Sequence, residues 1–311
     1  MKRYKKSKKN MQSLIGVTNI ERRRLTNELK NLKNKTKRIE ARLNEDIKGL
    51  IENNAFRQKP KLEGILITVD GSNGAGKSTL VEKGIKLAFE YAGFKNYEVI
   101  KESKLSPVFL TPIREYAKKH QNYKDERDKE AAIGSIVTAG RRLEGRSRLI
   151  NKLSEGKLII LDRYIWTTIA SQLGAETTFE EAIAMVSGSY LLPDSSLILT
   201  SDPEVGRSRA AERSAQTGRE MENAEEITKK VKGYKNLTDL INNNYPDYPL
   251  VRLDTTDKTK EEVANIFIDL ILAKYIGATN TSKIKEFFSE RYLQKGGQQE
   301  YKNSTQINGN N

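Results

Sequence analysis

The residues of this chain whose types and spacing most clearly predict chemistry form the run GSNGAGKS at residues 71–78. This run fits the pattern G-x4-G-K-[ST], in which the backbone N–H groups of a glycine-rich turn surround phosphate oxygens. Lys77 would reach the β- and γ-phosphates, and the hydroxyl of Ser78 is suited to Mg²⁺. The chemistry indicated is the binding of ATP, or a similar nucleoside triphosphate, together with Mg²⁺. The candidate nucleotide-binding residues are Gly71, Asn73, Gly74, Ala75, Gly76, Lys77, Ser78 and Thr79.

The segments on either side of this run are those that a phosphate-binding loop needs. ILITVD before it predicts a β-strand, and TLVEKGIKLAFEYA after it predicts a helix whose N-terminus adds positive potential. A glycine-rich turn without a ligand is therefore the weaker interpretation. ABC-type ATPases share these letters, but they also require an LSGGQ-like signature and a strand that ends in Asp-Glu. The corresponding strand here ends in LIILDRY, which excludes that class.

Composition restricts the remaining chemistry to carboxylates, Lys, Arg and metal. The 311 residues contain no Cys and a single histidine, His120, which excludes disulfides, thiolate-zinc sites and a cysteine nucleophile. With 36% hydrophobic residues, the chain can build one good-sized core with appendages. Because there is no apolar run of about 18 residues and no secretory leader pattern, we expect a cytoplasmic protein without a membrane partner.

The net charge of +14 is concentrated in an N-terminal arm. Residues 1–60 hold 18 Lys and Arg against 6 Asp and Glu, so the rest of the chain contributes only +2. Within the arm, a 4-3-4-3-4 spacing predicts the seam of a coiled-coil-like helix. The seam consists of Leu25, Leu29, Leu32, Thr36, Ile39 and Leu43. Either this helix packs on its own catalytic domain or on a second copy in a homodimer, or the basic arm binds nucleic acid or an acidic partner.

Residues 61–275 are interpreted as one α/β domain. Short apolar runs alternate with helical stretches, which predicts a five-stranded parallel sheet with helices on both faces. The predicted strands are residues 64–69, 97–101, 157–161, 196–200 and 250–253, and the predicted helices include 77–92, 138–153, 204–214 and 260–274. Residues 276–311 are expected to form a helical end and then a polar, disordered tail.

Four landmarks in this domain occur in an order and at spacings that resemble the thymidylate kinase family of nucleoside monophosphate kinases. The first is the strand and P-loop with Asp70 before it, and the second is Arg141, 21 residues before the next landmark. The third is DRY at residues 162–164, with Gln172 ten residues beyond its Asp. The fourth is LPD, the strand SLILT and then DPEVG at residues 202–206. The resemblance implies a P-loop NTPase fold and ATP-dependent phosphorylation of a nucleoside monophosphate.

The resemblance and the chemistry of phosphoryl transfer imply roles for these residues. Asp162 would hold Mg²⁺ through water, and Arg163 would clamp the acceptor phosphate with its fork of donors, a structural Asp-Arg pair being the alternative. Arg141 resembles the arginine that the family uses near the nucleotide base. Asp70 and Glu102 could bind a sugar hydroxyl, a metal-bound water or the clamp arginine, and Glu102 could equally be a solvated carboxylate. The candidate substrate-binding residues are Asp70, Glu102, Arg141, Arg163 and Gln172.

An arginine-rich stretch after DPEVG resembles the mobile lid of this family. Because the P-loop has Gly74 where some family members have an arginine, the resemblance implies that the lid supplies the catalytic cation. Arg209, Arg213 and Arg219 are the candidates, while Arg207 is interpreted as part of a solvated helix face. With Lys77, Asp162 and Arg163, these three arginines make up the predicted catalytic set.

The base and sugar of the acceptor are less well determined by the sequence. Val137 stands where many family members have a phenylalanine that stacks on thymine, and Ser171 stands where a tyrosine lies near the sugar. We therefore expect a nucleoside monophosphate kinase with dTMP as the leading acceptor. Two alternatives are a deoxynucleoside kinase with Glu102 as general base, and a nucleotide-binding adaptor that has a kinase fold and a nucleic-acid-binding arm.

Overall fold

The computed structural model describes residues 62–105, 125–186, 190–217 and 224–292, and separate positions between Arg24 and Arg38. The chain divides into two compact units, Met1–Gly49 and Leu50–Asn311. The predicted apolar seam of the arm, Arg219 and the polar tail lie outside the described residues.

Five parallel strands form the sheet of the second unit. They are β1 (Ile65–Gly71), β2 (Tyr97–Lys101), β3 (Leu158–Asp162), β4 (Ser195–Thr200) and β5 (Leu250–Asp254). The spatial order is β2-β3-β1-β4-β5, so that β1 is the central strand. The five strands, their parallel direction and their approximate bounds confirm the prediction from sequence. The run of residues 71–78 therefore leaves the sheet between the ends of two neighbouring strands, where ligands bind in open α/β sheets.

Helices connect and cover these strands. They are α1 (Thr79–Ile85 and Lys86–Ala92), α2 (Glu126–Gly140, Arg141–Gly145 and Arg146–Ser154), α3 (Ile165–Gly174), α4 (Phe179–Val186), α5 (Pro203–Thr217), α6 (Ala224–Asn244), α7 (Lys260–Phe267, Ile268–Leu272 and Ala273–Ile276) and α8 (Ala278–Glu286 and Phe287–Tyr292). None of the helices in the described ranges is long and apolar enough to cross a membrane.

Two helix starts illustrate how local sequence sets these bounds. α2 begins at Glu126, well before the predicted residue 138, because the Asp125 carboxylate accepts a hydrogen bond from the Asp128 amide at 3.0 Å and caps the helix. α7 begins with a capping box, in which Thr259 and Glu262 each accept the other's backbone N–H. This second start agrees with the predicted helix at residues 260–274.

Both faces of the sheet are covered by helices, which is why its strands are apolar almost throughout. On one face, Ile67, Val69 and Leu197 pack with buried side chains of α1, α7 and α8. On the opposite face, Trp166 of α3 lies against the sheet and donates from its indole nitrogen to the Ser196 hydroxyl at 2.7 Å. The predicted arrangement of helices on both faces is confirmed.

The C-terminal helix completes the first of these layers. Ile284 and Phe288 of α8 are 0% and 1% exposed and belong to the same cluster as the apolar side chains of α1 and α7. A Cβ added to Gly84 of α1 would lie 3.1 Å from the Phe288 ring, so the two helices are in direct contact. The boundary expected at residue 275 thus leaves out a helix that contributes to the core.

The described positions of the first unit are helical and exposed. They are Arg24, Thr26, Asn27, Glu28, Lys30, Asn31, Lys33, Asn34, Lys35, Lys37 and Arg38. Arg24 pairs with Glu28 across one helical turn at 3.0 Å, and an exposed pair of this kind contributes only about 0.3–0.5 kcal/mol. The helix predicted for the arm is confirmed at these positions, and its coiled coil stays a prediction.

Replacing Phe288 by Ala should lower the free energy of unfolding by about 3–5 kcal/mol, because it removes a fully buried ring and leaves a cavity between α8 and α1. Urea denaturation followed by fluorescence of the single tryptophan, Trp166, measures this change. The control is Leu270→Ala on α7, where the side chain is 55% exposed and the expected change is within about 0.5 kcal/mol. Equal stability of the two variants would contradict the assignment of α8 to the core.

Candidate active site

The glycine-rich run forms a turn between the end of β1 and the start of α1. Gly74 and Gly76 have φ values of 78° and 90°, in the left-handed region that favours glycine. A Cβ added to Gly74 would lie 2.0 Å from the carbonyl oxygen of Gly206 in α5, whereas one added to Gly76 would meet nothing within 4 Å. The turn is therefore closed on the side of α5 and has room for a phosphate beside Gly76.

Lys77 lies inside this turn. It is only 5% exposed, and its ammonium group donates to the carbonyl oxygen of Ser72 at 2.5 Å. This contact holds the charge of the side chain within the turn. The contact of Lys77 with phosphate stays a prediction.

Ser78, at the end of the glycine-rich run, contacts Asp162, at the end of β3. The Ser78 hydroxyl donates to Oδ2 of Asp162 at 3.3 Å, and Asp162 is 5% exposed at the end of β3. Its second oxygen, Oδ1, is buried without a hydrogen-bond partner. Such an oxygen is suited to a hard cation or its bound water, and the remaining ligands would be phosphate oxygens and water. Within the described ranges, no group of three or more acidic or histidine side chains is arranged to hold a metal ion.

Arg163 adopts an unusual backbone conformation directly after β3. Its φ is 71°, which costs a long side chain roughly 1–2 kcal/mol and occurs mainly where the surroundings enforce it. The conformation turns the guanidinium back over the glycine-rich turn, where it donates to the Gly71 carbonyl oxygen at 3.2 Å and to Oδ1 of Asn73 at 2.5 Å. The alternative interpretation of the sequence was a structural pair between Asp162 and Arg163. Asp162 is not among the acceptors of the Arg163 guanidinium.

Asp70 lies where β1 ends, but it does not face the crevice. It is 0% exposed, and its Oδ1 accepts hydrogen bonds from the amides of Tyr164 and Thr167 at 2.8 and 2.9 Å and from the Thr167 hydroxyl at 2.7 Å. Burial raises the pKa of Asp70 above its ordinary value, although the hydrogen bonds from Thr167 and Tyr164 act in the opposite direction. The predicted contact of Asp70 with substrate is therefore corrected, since burial separates the carboxyl from any ligand in the crevice.

Arg141 is the centre of a buried polar cluster. The arginine is 2% exposed and forms an ion pair with Glu102, which follows β2. It also donates to the Thr168 hydroxyl of α3 at 2.6 Å and to the Tyr190 hydroxyl, and its guanidinium carbon lies 5.1 Å from the centre of the Tyr190 ring. Glu102 is thus an ion-pair partner, and its interpretation as a solvated carboxylate was wrong.

Gln172 lies close to this cluster in sequence, as do Val137 and Ser171, the positions where many family members have a phenylalanine and a tyrosine. Gln172 is 1% exposed on α3, and a Cβ added to Gly134 of α2 would lie 2.8 Å from its amide nitrogen, so Gln172 packs between the two helices. Val137 is buried one helical turn before Arg141, and Ser171 is half-buried one turn after Thr168. The residues expected to surround the base and sugar therefore share the α2–α3 side of the site.

The arginines of the expected lid have different surroundings. Arg209 on α5 donates to the carbonyl oxygens of Thr255 and Thr256 after β5, at 3.2 and 2.9 Å, which ties α5 to that loop. Arg207 is exposed and pairs with Glu204 at 2.7 Å, in agreement with its interpretation as part of a solvated face. The side chain of Arg213 and all of Arg219 lie outside the described part, so the lid stays a prediction.

Several contributors to the site were not predicted from sequence. Thr168 and Tyr190 hold Arg141, and Tyr234 of α6 shares a hydrogen bond of 2.8 Å with the Thr167 hydroxyl. Burial raises the pKa of Tyr234 to about 12, so the phenol stays protonated. The position of Thr168, six residues after Asp162, indicated that it lies near the site. Tyr190 precedes a strand and Tyr234 lies within a long helix, and neither position gives such an indication.

An open depression of about 460 Å³ lies at the carboxyl ends of β4 and β5. It is lined by Asp202, Asp254, Thr256, Asp257 and Lys258. Of these, only Asp202 belongs to a sequence landmark, the DPEVG segment. Its carboxylate accepts the amides of Glu204 and Val205 at 2.9 and 3.3 Å, which gives it a capping role at the start of α5.

Comparison with known proteins identifies the relationship that this geometry suggests. The family model described as thymidylate kinase matches residues 69–266. The thymidylate kinase of Shouchella clausii is 30% identical over 151 residues, 47% of this chain and 68% of the relative. That of Halorhodospira halophila is 32% identical over 160 residues, 48% and 69% respectively, and that of Bacillus mycoides is 28% identical over 223 residues, 68% and 100%.

The matched region includes the turn at residues 71–78, the Asp162-Arg163 corner, Arg141 and α5. These groups follow one another along the chain in the order of the family's landmarks, and they meet at one edge of the sheet. The chain belongs to the thymidylate kinase family, which consists of phosphotransferases that act on nucleoside monophosphates.

Proposed function

We propose that this nucleoside monophosphate kinase transfers the γ-phosphoryl group of ATP to an acceptor monophosphate, with dTMP as the leading acceptor and Mg²⁺ as the required ion. The observation that carries the proposal is the meeting of two cationic groups and one carboxylate at the end of β1. Lys77 donates to Ser72 within the turn, Ser78 donates to Asp162, and Arg163 donates to Gly71 of the same turn. These groups suit two phosphate chains held together in line.

The donor phosphates would occupy the open side of the glycine-rich turn. Lys77 would exchange its contact with the Ser72 carbonyl oxygen for a contact with phosphate oxygens. Ser78 and Oδ1 of Asp162 would hold Mg²⁺ directly or through water, and the ion would neutralise charge on the β- and γ-phosphate oxygens. The γ-phosphoryl group then passes to an oxygen of the acceptor phosphate, and ADP leaves.

The acceptor phosphate would bind Arg163. Its contacts to Gly71 and Asn73 are to neutral oxygens, which a phosphate anion can replace with stronger, charge-assisted hydrogen bonds. The base would lie toward Arg141, as the family resemblance implies. The names of the relatives, thymidylate kinases, support dTMP as the acceptor to be tested first.

The contact between Glu102 and Arg141 favours a monophosphate acceptor over a nucleoside acceptor. A nucleoside kinase needs a general base for a neutral hydroxyl, and Glu102 was the candidate for that role. An ion pair with a buried arginine stabilises the ionised carboxylate but occupies it. An acceptor phosphate is already anionic and needs no such base.

Lys77→Ala should lower kcat with ATP and dTMP by about 100-fold or more, because it removes a cation aimed at the transferred phosphoryl group. The measurement is a coupled ADP-release assay on a panel of nucleoside monophosphates, with thymidine as a nucleoside control. Lys83→Ala, an exposed lysine on the next turn of α1, should leave the rate unchanged. Phosphorylation of thymidine but of no monophosphate would overturn the proposed reaction.

Asp162→Asn should weaken the apparent affinity for Mg²⁺ by about 10- to 100-fold, since an amide is a poorer partner than a carboxylate for a hard cation. Activity is measured as a function of Mg²⁺ concentration at saturating ATP and dTMP. Asp269→Asn, on the exposed side of α7, is the matched control. An unchanged Mg²⁺ dependence in Asp162→Asn would remove this residue from the metal site.

The N-terminal helix offers a second binding surface, for which nucleic acid is the partner that its charge favours. Its described positions are all polar and exposed, and six of them are Lys or Arg against one Glu. Residues 1–60 carry a net charge of +12. The excess of Lys and Arg over Glu at these exposed positions suits a phosphate backbone. Pairing of the seam with a second copy is compatible with this surface, which flanks the seam in sequence.

Replacing Lys30, Lys33 and Lys37 together by Glu in the full chain should weaken binding to a short DNA duplex and reduce its salt dependence. The slope of log K against log salt should fall by about 0.9 for each phosphate that the variant no longer neutralises. Fluorescence anisotropy at several salt concentrations measures both quantities. The control replaces the exposed Lys83, Lys86 and Lys260 of the catalytic unit by Glu, which gives the same change in net charge. Equal losses of affinity in the two triple variants would show that only net charge matters.

A further inference from the structure

Three consecutive residues of β1 hold the corner at Arg163 and Tyr164. The Val69 carbonyl oxygen accepts the Arg163 amide at 3.0 Å, and Oδ1 of Asp70 accepts the Tyr164 amide at 2.8 Å. The carbonyl oxygen of the next residue, Gly71, accepts the Arg163 guanidinium at 3.2 Å. Two of these acceptors are backbone atoms, which any residue supplies. Asp70 provides the one acceptor of the three that is a side-chain atom.

Asp70 also supplies the cap that α3 lacks in its own sequence. The N-cap position of α3 is Tyr164, and its side chain makes no capping hydrogen bond. Oδ1 of Asp70 instead accepts the amides of Tyr164 and Thr167 and the Thr167 hydroxyl. A carboxyl from a strand 94 residues away in sequence thus accepts two of the N–H groups at this helix end. The start of α3 is fixed to β1 through one side-chain oxygen.

The position of Arg163 depends on this attachment, because its backbone conformation is unfavourable by itself. A φ of 71° persists only where neighbouring contacts enforce it. The residue lies between the last residue of β3 and the helix start that Asp70 caps. If the start of α3 were released, the corner could relax to an ordinary conformation, and the guanidinium would leave the glycine-rich turn.

From these contacts we infer that Asp70 is a positioning residue for the reaction, which acts by holding Arg163 at the acceptor phosphate. It cannot act by touching substrate, because it is 0% exposed. The inference rests on the proposed function in one respect, the role of Arg163 in binding the acceptor phosphate. This role is more than that of a helix cap, because the loss of Asp70 would lower activity by displacing Arg163.

Asparagine is the conservative replacement that separates the hydrogen bonds of Asp70 from its charge. The amide oxygen of Asn can accept the same three hydrogen bonds at Oδ1. Oδ2, which the amide nitrogen would replace, is buried without a hydrogen-bond partner. Burial raises the pKa of Asp70, which means that the surroundings penalise the carboxylate charge, and a neutral amide removes that penalty. Alanine removes the acceptor altogether.

The test is a double-mutant cycle on the full chain with Asp70→Ala, Arg163→Ala and the double variant, and with Asp70→Asn as the rescue. Arg163→Ala should lower kcat/KM for the acceptor monophosphate by about 100-fold, the effect of a misplaced or missing positioning group. Asp70→Ala should lower it by a similar factor, and the double variant should be no worse than Arg163→Ala within about threefold. Asp70→Asn should retain activity within about fivefold of the unchanged chain, and none of the variants should alter KM for ATP by more than about threefold.

Each contrary result has a distinct meaning. If Asp70→Ala and Arg163→Ala multiply in the double variant, Asp70 does not act through Arg163, and the inference is overturned while the proposed function stands. If Arg163→Ala leaves kcat/KM unchanged, the phosphate clamp in the proposed function fails instead. Should Asp70→Ala not fold, Thr167→Val removes one of the three donors that hold Oδ1. Its smaller effect on kcat/KM must likewise disappear in the Arg163→Ala background, or the inference is wrong.

Discussion

The register of β1 between its two neighbouring strands is the constraint on which the rest of the site depends. Val69 is paired with Asp162 of β3, and Gly71 is paired with Leu199 of β4. A shift of one residue would turn the buried side chains of β1 to the wrong face, so the packed core on both sides permits only one register. This register brings the start of the glycine-rich turn beside the end of β3, and the hydrogen bond between Ser78 and Asp162 follows from it.

The three buried or half-buried cations of the site differ in the acceptors that hold them. Lys77 is bound by a backbone carbonyl oxygen, and Arg163 by a carbonyl and an amide oxygen. A phosphate can displace such neutral acceptors because the charged pair is stronger. Arg141 is instead paired with the carboxylate of Glu102 in a site that is 2% exposed, and removing one partner of a buried ion pair typically costs about 3–5 kcal/mol. The first two cations are therefore suited to bind phosphate, and the third to keep a fixed geometry.

The strands could be read from the sequence because each is a short, largely apolar run, and the three central ones are buried on both faces, as Leu197 on one face and Trp166 against the other illustrate. The early start of α2 and the membership of α8 in the core could not be read in the same way. The cap at Asp125 is a local signal that the apolar pattern does not contain. Phe288 is buried among side chains of α1 and α7 and lies against Gly84, and these residues are far apart in sequence.

The sequence by itself determined which residues could bind phosphate, since the turn at residues 71–78 combines its glycines, Lys77 and Ser78 within one short segment. It also determined the order of the landmarks that assign the family. Only the tertiary structure decided what Asp70 and Glu102 do, because burial and partners arise from elements that meet in space. The carboxyl of Asp70 is enclosed by the start of α3, and that of Glu102 meets Arg141 on α2. A carboxylate's role depends on its solvent exposure and its partners, and neither property is encoded in the few residues around it.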